Sequence, residues 1–401
     1  QYSLHVEQSC PATPGQADKQ PFVIPLAMGL LGEAGNLPLR LQGTAPDPDT
    51  ADNTHRVLVV DQPSQTFVFE GVAEQPVPSL LRGFSAPVRL DYAYSKSDLF
   101  ALMSRDDDGF VRWDSAQALA TAVVHEVEQQ LQDAVPLEID PLLGAAYGAL
   151  LADQSLDPAM VADMLALPSE NYLAELASQA GGANVDTIHG ARRAVQDCIG
   201  EALNAELREV YQRLDSGQPY APEAGQIAAR SLRNTCLEFL VSADDGALAL
   251  ALQQFKGAGN MTDRLAALKI IAFYGSGDVR DASLEAFYQD WRHEALVVNQ
   301  WFQVQAAIPD QDALSRVQSL LSHPEFDLRN PNKVRALVGI FANQNPLNFH
   351  RRDGEGYRFL ADIIIELNGL NPQIASRLLS PLTKWRNYTG RAELMHAQLE
   401  R

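Results

Sequence analysis

The two His-Glu pairs of the chain are the first residues whose types could do chemistry. A zinc site of the form H-E-x-x-H needs histidines four residues apart, because both imidazoles must then lie on one face of a helix. His125 is followed four residues later by Gln129, and His293 is followed by Val297. Neither pair has the spacing of that site, and both are interpreted as ordinary structural residues.

Two other groups of residues suggest chemistry but lack the required pattern. The acidic run at residues 106–108 lacks the alternating carboxylates and the later glutamate of a calcium loop, which favours a solvated turn between domains. Ser276 is not in a G-x-S-x-G turn, and the glycine pairs beginning at residues 257, 275 and 354 are typical of turns. The sequence therefore predicts no catalytic residue and no metal ligand in this chain.

A basic C-terminal stretch is the feature that most suggests binding. Residues 331–401 contain ten Lys or Arg and six Asp or Glu, in a chain whose formal net charge is -20. Arg335 and Arg377 follow the Asn-Pro pairs at residues 330 and 371, which are typical helix starts. Because helix N-termini attract anions and guanidinium groups bind carboxylates, a carboxylate site is one interpretation. The other is that these arginines bond to carbonyl groups of neighbouring helices.

The elements that must position these residues change in character near residue 98. Before it, short alternating segments and frequent prolines predict strands of a small sandwich, including a hairpin between residues 22–31 and 37–41. After it, apolar residues recur with helical spacing, and short polar turns separate the segments, which predicts a solenoid of paired helices. The remaining predicted strands are residues 2–6, 56–60, 66–69 and 88–92; the predicted helices include 113–131 and others starting near Asp157, Ala221, Asn330, Asn345 and Asn371.

Composition and charge exclude several classes of protein. No segment approaches the roughly 20 apolar residues of a membrane span. The three cysteines, at positions 10, 198 and 236, contain no C-x-x-C pair, which argues against a disulfide framework and a structural zinc site. The strong negative charge disfavours nucleic acid and anionic membranes as partners. We therefore expect a protein of a reducing compartment, the cytoplasm.

Several segments, collinear along the chain, carry a family resemblance. The segments are residues 75–88 (QPVPSLLRGFSAPV), 110–117 (FVRWDSAQ), 260–268 (NMTDRLAAL), 330–335 (NPNKVR), 347–350 (LNFH), 353–357 (DGEGY) and 371–377 (NPQIASR). In this order they resemble the non-catalytic C-terminal region of bacterial aminopeptidase N, in the gluzincin family of zinc aminopeptidases.

The motifs of that family's catalytic domain do not occur in this sequence. They are H-E-x-x-H, a downstream glutamate ligand and a G-x-M-E-N substrate loop. The chain begins at Gln1 within a strand-like pattern, so we expect it to be the back half of a larger enzyme. By resemblance, the parent removes N-terminal amino acids from peptides through zinc held in the missing catalytic domain. This chain alone is expected to hold no cofactor and to be inactive.

The resemblance also implies an architecture, a role and a set of site residues. A β-sandwich domain at residues 1–96 would precede a helical superhelical domain at residues 97–401, which would form a bowl over the parent's catalytic domain. Residues matching Arg335, Gln373 and Arg377 face the family's internal cavity and contact the C-terminal side of the peptide substrate. The alternative is a free-standing helical-repeat scaffold that binds an acidic protein, although a start inside a strand without Met argues against it.

Overall fold

The structure is a computed structural model that describes residues 1–44, 53–215 and 217–401. Its N-terminal part contains two antiparallel sheets of three strands each, with the orders β1-β5-β3 and β4-β2-β6. The strands are β1 (Tyr2–Glu7), β2 (Ile24–Leu31), β3 (Arg40–Leu41), β4 (Arg56–Val60), β5 (Ser64–Glu70) and β6 (Val77–Leu80).

The two sheets share one apolar core. Leu4 and Phe69 from the first sheet meet Met28 and Leu58 from the second, and all four side chains are buried. Their neighbours along each strand point the other way, as the two-residue period of a strand requires. In β4, for example, Leu58 is 2% exposed and Val59 is 53% exposed. The predicted small sandwich is confirmed.

The strand pairing differs from the prediction in two places. The turn of the predicted hairpin forms, with the Leu37 N–H donating to the Leu30 carbonyl at 2.8 Å. The returning chain then leaves, because β4 and β6 occupy both edges of β2, and β3 pairs with β5 instead. Residues 88–92 alternate like a strand, yet they pair with no strand of the described chain. A period-2 pattern indicates a strand but not whether a sheet edge is available to it.

A buried ion pair fixes the turn after β6. The Arg82 side chain is 2% exposed, and its guanidinium lies 3.1 Å from Asp106 Oδ1 and 3.1 Å from Asp107 Oδ1. Leu81 and Phe84 on either side have φ values of 58° and 52°, which strain residues other than glycine. The predicted solvated turn at residues 106–108 is therefore wrong at Asp106, whose side chain is fully buried against an arginine 24 positions earlier.

The remaining secondary structure of the described chain consists of helices. They are α1 (Lys96–Arg105), α2 (Gly109–Gln132), α3 (Pro141–Ala152), α4 (Pro158–Leu165), α5 (Glu170–Gln179), α6 (Val185–Ala202), α7 (Asn204–Arg213), α8 (Ala224–Ala243), α9 (Leu248–Gly257), α10 (Met261–Tyr274), α11 (Gly277–Trp291), α12 (Ala295–Ala307), α13 (Ala313–Leu320), α14 (Pro331–Val334), α15 (Ile340–Gln344), α16 (Pro346–Phe349), α17 (Glu355–Leu370), α18 (Pro372–Leu378), α19 (Ser380–Thr383) and α20 (Ala392–Leu399). A π-helical turn, Arg335–Gly339, joins α14 to α15. None of the helices in the described ranges is long and apolar enough to cross a membrane.

Asparagine and aspartate caps start the helices where the Xaa-Pro pairs predicted them. The Asn330 side chain accepts from the Asn332 N–H, and Asn371 accepts from Ile374. Such a cap satisfies a backbone donor that has no partner within the helix. The predicted start at Ala221-Pro is displaced, because α8 begins only at Ala224 and its N-cap, Glu223, makes no side-chain cap bond. Without a short polar side chain before the proline, the pair does not define a helix start.

The described chain divides into two compact units. The first comprises Gln1–Ala122, Pro141–Leu156 and Asp163–Leu165, and the second comprises Val123–Asp140, Asp157–Ala162 and Ala166–Arg401. Within the second unit, alternate helices pack on one another in turn: α6 on α8, α8 on α10 and α10 on α12. The helix at residues 331–344 packs on α12 and continues this layer. We call α6, α8, α10, α12 and the helix at residues 331–344 the inner layer, because they border one groove.

Candidate functional site

Arg335 lies at the point where α14 passes into the π-helical turn. Its side chain is exposed, and its Nε donates to the Pro331 carbonyl at 3.3 Å. A second guanidinium nitrogen donates to Asn332 Oδ1, so the side chain folds back on the first turn of its own helix. π-Helical turns inside α-helices occur frequently at functional sites. The turn also presents Arg335 at the start of an inner-layer helix.

Gln373 and Arg377 occupy one face of α18. Both side chains are exposed, and residues four apart on a helix are neighbours. The helix lies close to the π-helical turn: a Cβ built on Gly339 would be 3.8 Å from Arg335 Cβ and 4.0 Å from Leu378 Cδ2. The fold therefore brings the segment that carries Arg335 next to the segment that carries Arg377.

Most other cations of the basic stretch are paired with carboxylates. Arg352 and Arg391 approach Asp186 at 2.7 and 3.7 Å. Further pairs are Arg351 with Asp353, Arg358 with Glu355, Arg401 with Asp362 and Lys333 with Glu325. Within the described ranges, Arg335 and Arg377 have no carboxylate partner, and Lys384 and Arg386 share that property. The charge available to an external anion is therefore much smaller than the sequence count suggests.

A groove made of two adjoining cavities runs along the inner layer. One has a volume of 820 Å³ and is lined by α8, α10, α12 and Gln344; the other has a volume of 480 Å³ and adds residues of α6. Glu238, Phe273, Tyr274, Ala307 and Gln344 border both cavities, which makes the groove continuous. Each helix contributes one face, with positions three, four and seven apart, as the helical period requires.

A polar network closes the end of the groove near α6. Gln196, which is buried, donates to the Tyr274 hydroxyl at 3.0 Å, and the Arg193 guanidinium lies 4.5 Å from the centre of the Tyr274 ring. Burial raises the pKa of Tyr274 to about 12, so its hydroxyl stays protonated and can donate a hydrogen bond. His189 contacts Glu170 at 2.8 Å beside this network. The arrangement is suited to binding and contains no activated nucleophile.

The motifs of the sequence do not predict this groove. The polar positions of α8, α10 and α12 carry no motif that would single them out. A signal exists in the sequence, because the otherwise apolar helix α12 carries four amide residues, of which Gln300 and Gln303 line the groove. Arg335, Gln373 and Arg377 do not line either cavity of the groove. The predicted site and the groove are separate features of the second unit.

A second polar cluster is buried near α16 and α17. His350 Nδ1 lies 2.8 Å from the Tyr357 hydroxyl, and its ring lies 3.8 Å from the ring of Tyr388. Arg391 donates to the His350 carbonyl at 2.7 Å. Burial, and secondarily the charge of Arg391, lower the pKa of His350 to about 3. The imidazole is therefore neutral, and its role is to satisfy a buried hydroxyl.

The residues present do not fit a metal ion. Throughout residues 1–44, 53–215 and 217–401, no three His, Cys, Asp or Glu side chains are grouped so that they could hold one. The zinc expected of the parent enzyme has no candidate ligand set in this part of the chain.

Two family models together cover almost the whole sequence. The model described as "Domain of unknown function (DUF3458) Ig-like fold" matches residues 1–93. The model described as "Domain of unknown function (DUF3458_C) ARM repeats" matches residues 96–401. These matches define the class of protein: an Ig-like β-region followed by ARM-type helical repeats. The predicted fold class is thereby confirmed.

Relatives of known name carry the same two regions. The chain is 40% identical to aminopeptidase N of Escherichia coli over all of its own length and 45% of that protein. It is 40% identical to aminopeptidase N of Caulobacter vibrioides over 86% of the chain and 39% of that protein. A crystal structure of Legionella pneumophila aminopeptidase A in complex with aspartic acid matches all of the chain and 44% of that protein, with a TM-score of 0.83 and 31% identity.

The chain belongs to the aminopeptidase N family and corresponds to a C-terminal region of such an enzyme. The resemblance identified from the sequence is confirmed. The chain spans less than half the length of the curated relatives it matches.

Proposed function

We propose that this chain is the non-catalytic part of a zinc aminopeptidase and that it encloses the active-site cavity of the parent. Zinc, held by the catalytic region that precedes this part in the family, would supply the activated water. Residues of this chain would limit access to short or unfolded peptides and bind the end of the peptide that is not cleaved. The free cysteines at positions 10, 198 and 236 support a reducing compartment such as the cytoplasm.

The contact between the segments that carry Arg335 and Arg377 supports this proposal. Both guanidinium groups are exposed and lack a carboxylate partner within the described ranges, and their helices meet at Gly339. Two arginines placed in this way suit the C-terminal carboxylate of a peptide, because charge-assisted hydrogen bonds are about twice as strong as neutral ones. Gln373, one turn before Arg377, would donate to a neighbouring peptide carbonyl. The pairing of most other cations in residues 331–401 disfavours the alternative of a basic scaffold for an acidic protein.

The test uses the whole parent enzyme and peptides that differ only at the C-terminus. Arg335→Ala and Arg377→Ala should each weaken binding of free-acid peptides by about 1 to 3 kcal/mol, mainly through KM. Amidated peptides should change much less, since they offer no carboxylate. Lys384→Ala is the matched control, because Lys384 is also an exposed cation without a carboxylate partner among the described residues. Equal losses for free-acid and amidated peptides would contradict the proposal.

A further inference from the structure

Arg335 is oriented by two neutral oxygen atoms rather than by a carboxylate. Its Nε donates to the Pro331 carbonyl at 3.3 Å, and its Nη2 donates to the carboxamide oxygen of Asn332. A neutral oxygen holds a guanidinium group in place without cancelling its charge. Other arginines of residues 331–401 pair with acids, and these are Arg351, Arg352, Arg358, Arg391 and Arg401.

The two contacts of Arg335 use only one edge of its guanidinium group. Nε and Nη2 share that edge, and both donate to oxygen atoms of α14. The other edge is formed by Nη1 and Nη2, and Nη1 makes no hydrogen bond within residues 1–44, 53–215 and 217–401. A carboxylate binds such an edge through two parallel N–H···O bonds. Arg335 therefore keeps one edge for a carboxylate although its side chain is already held.

The start of α14 fixes Asn332 in turn. The Asn332 N–H donates to Asn330 Oδ1 at 3.0 Å, and the proline between these two residues has a restricted φ. Asn332 lies three residues before Arg335, a spacing that makes two side chains neighbours on a helix. Both side chains are exposed, so their contact does not fill a core. Its effect is to restrict the rotamers of a long, flexible arginine.

Arg377 has no comparable support. Its side chain makes no hydrogen bond within the part of the chain that the structure describes. An arginine that is ordered only when a ligand binds loses more side-chain entropy than an arginine that is already held. Of the two arginines assigned to the peptide carboxylate, Arg335 is therefore the one whose geometry is prepared in advance.

We propose that Asn332 is a positioning residue, which presents the guanidinium group of Arg335 to the C-terminal carboxylate of a peptide. This inference rests on the proposed function and deepens it, because it names the residue that prepares Arg335 for its ligand. The amide is essential to this role. An aspartate at the same position would also hold the arginine, but it would neutralise the charge that the peptide carboxylate needs.

The experiment uses the whole parent enzyme and penta-alanine with a free or an amidated C-terminus. Asn332→Ala removes the support and should raise KM for the free acid about three- to tenfold, with kcat unchanged. Asn332→Asp keeps the contact but adds a competing charge, so KM should rise at least as much. KM for the amide should stay the same in both variants. Asn343→Ala is the matched control, because Asn343 is an exposed asparagine of α15 whose side chain donates to the Gly339 carbonyl.

A second comparison separates positioning from a general effect on the helix. In an enzyme that already carries Arg335→Ala, neither Asn332→Ala nor Asn332→Asp should raise KM further, because Asn332 acts only through Arg335. Asn332→Asp should leave the melting temperature unchanged or higher, since an acid is favourable in the first turn of a helix. A residue that only stabilised the helix would show the same effect with and without Arg335.

Three results would overturn this inference and leave the proposed function intact, provided that Arg335→Ala raises KM for the free acid alone. They are an unchanged or lowered KM for the free acid in Asn332→Ala, equal changes for the free acid and the amide in either Asn332 variant, and a further loss in the Arg335→Ala background. If Arg335→Ala affects both peptides equally, the proposed function fails and this inference fails with it.

Discussion

At the scale of single residues, the buried Arg82–Asp106 pair is expected to have a large effect on stability. Both side chains are buried, and Arg82 also donates to Ser79 Oγ at 2.7 Å and Asn36 Oδ1 at 2.8 Å. A buried charge pair adds little compared with an apolar pair of the same volume, but removing one partner leaves an uncompensated charge. The strained residues on either side of Arg82 persist because this network holds the turn.

Asp106→Asn should lower the free energy of unfolding by about 3 to 5 kcal/mol, because the Arg82 guanidinium keeps its burial and loses its buried counter-charge. Urea denaturation would measure the change. Asp107→Asn is the matched control, since its side chain is 60% exposed and surface ion pairs contribute about 0 to 1 kcal/mol. Similar losses in the two variants would mean that Asp106 is not the dominant partner.

At the scale of elements, the close approach of α6 to α8 sets the position of the inner layer. Gly200 on α6 allows this approach, since a Cβ built there would lie 2.3 Å from the Phe239 carbonyl oxygen and 2.7 Å from Ala243 Cβ. A backbone oxygen cannot move aside as a flexible side chain can. The separation of the two helices therefore depends on the absence of a single methyl group.

Gly200→Ala should destabilise the chain by about 1 to 3 kcal/mol, the usual cost of overpacking. Gly225→Ala in α8 is the control, because nothing lies within 4 Å of its Cβ position. Alanine is the better helix former by up to about 1 kcal/mol, so this control should be neutral or stabilising. Thermal unfolding, monitored by circular dichroism, would give the melting temperatures of the two variants. The opposite order of melting temperatures would refute the packing argument.

The helices and strands also show which structural features could be predicted from the sequence. Local signals gave correct results: Asn330 and Asn371 cap their helices, and alternation predicted β1 and β4. Features that depend on residues distant in the sequence were not predicted. Examples are the pairing of β3 with β5 and the burial of Asp106. The groove was missed for the same reason, because its walls come from helices separated by loops. Helical spacing predicts a face of each helix but not which faces meet.

At the scale of the whole molecule, acid should destabilise the fold through His350. The ordinary pKa of histidine is 6.5, and in the folded chain it is lowered to about 3. Between these values the unfolded chain binds a proton that the folded chain does not, so stability rises with pH there. The contribution is fully present above pH 6.5 and is lost as the pH falls towards about 3.

His350→Gln should flatten the dependence of unfolding free energy on pH between about 6.5 and 3, because glutamine can still bond to Tyr357 but cannot acquire a charge. Stability at neutral pH should fall somewhat, since the replacement does not match the ring packing on Tyr388. The measurement is a series of urea titrations across that range. An unchanged slope in His350→Gln would contradict the assignment.

The repeated helices of the inner layer determine how the groove can change in evolution. Each of α8, α10 and α12 adds one face to the groove, and packed helices lie about 8 to 10 Å apart. The number of helix pairs therefore sets the length of the groove. Duplication or loss of one pair would lengthen or shorten the groove by a fixed step, while a substitution could alter only its chemistry. Selection on the length of a ligand of the groove and selection on its composition would then act on different kinds of mutation.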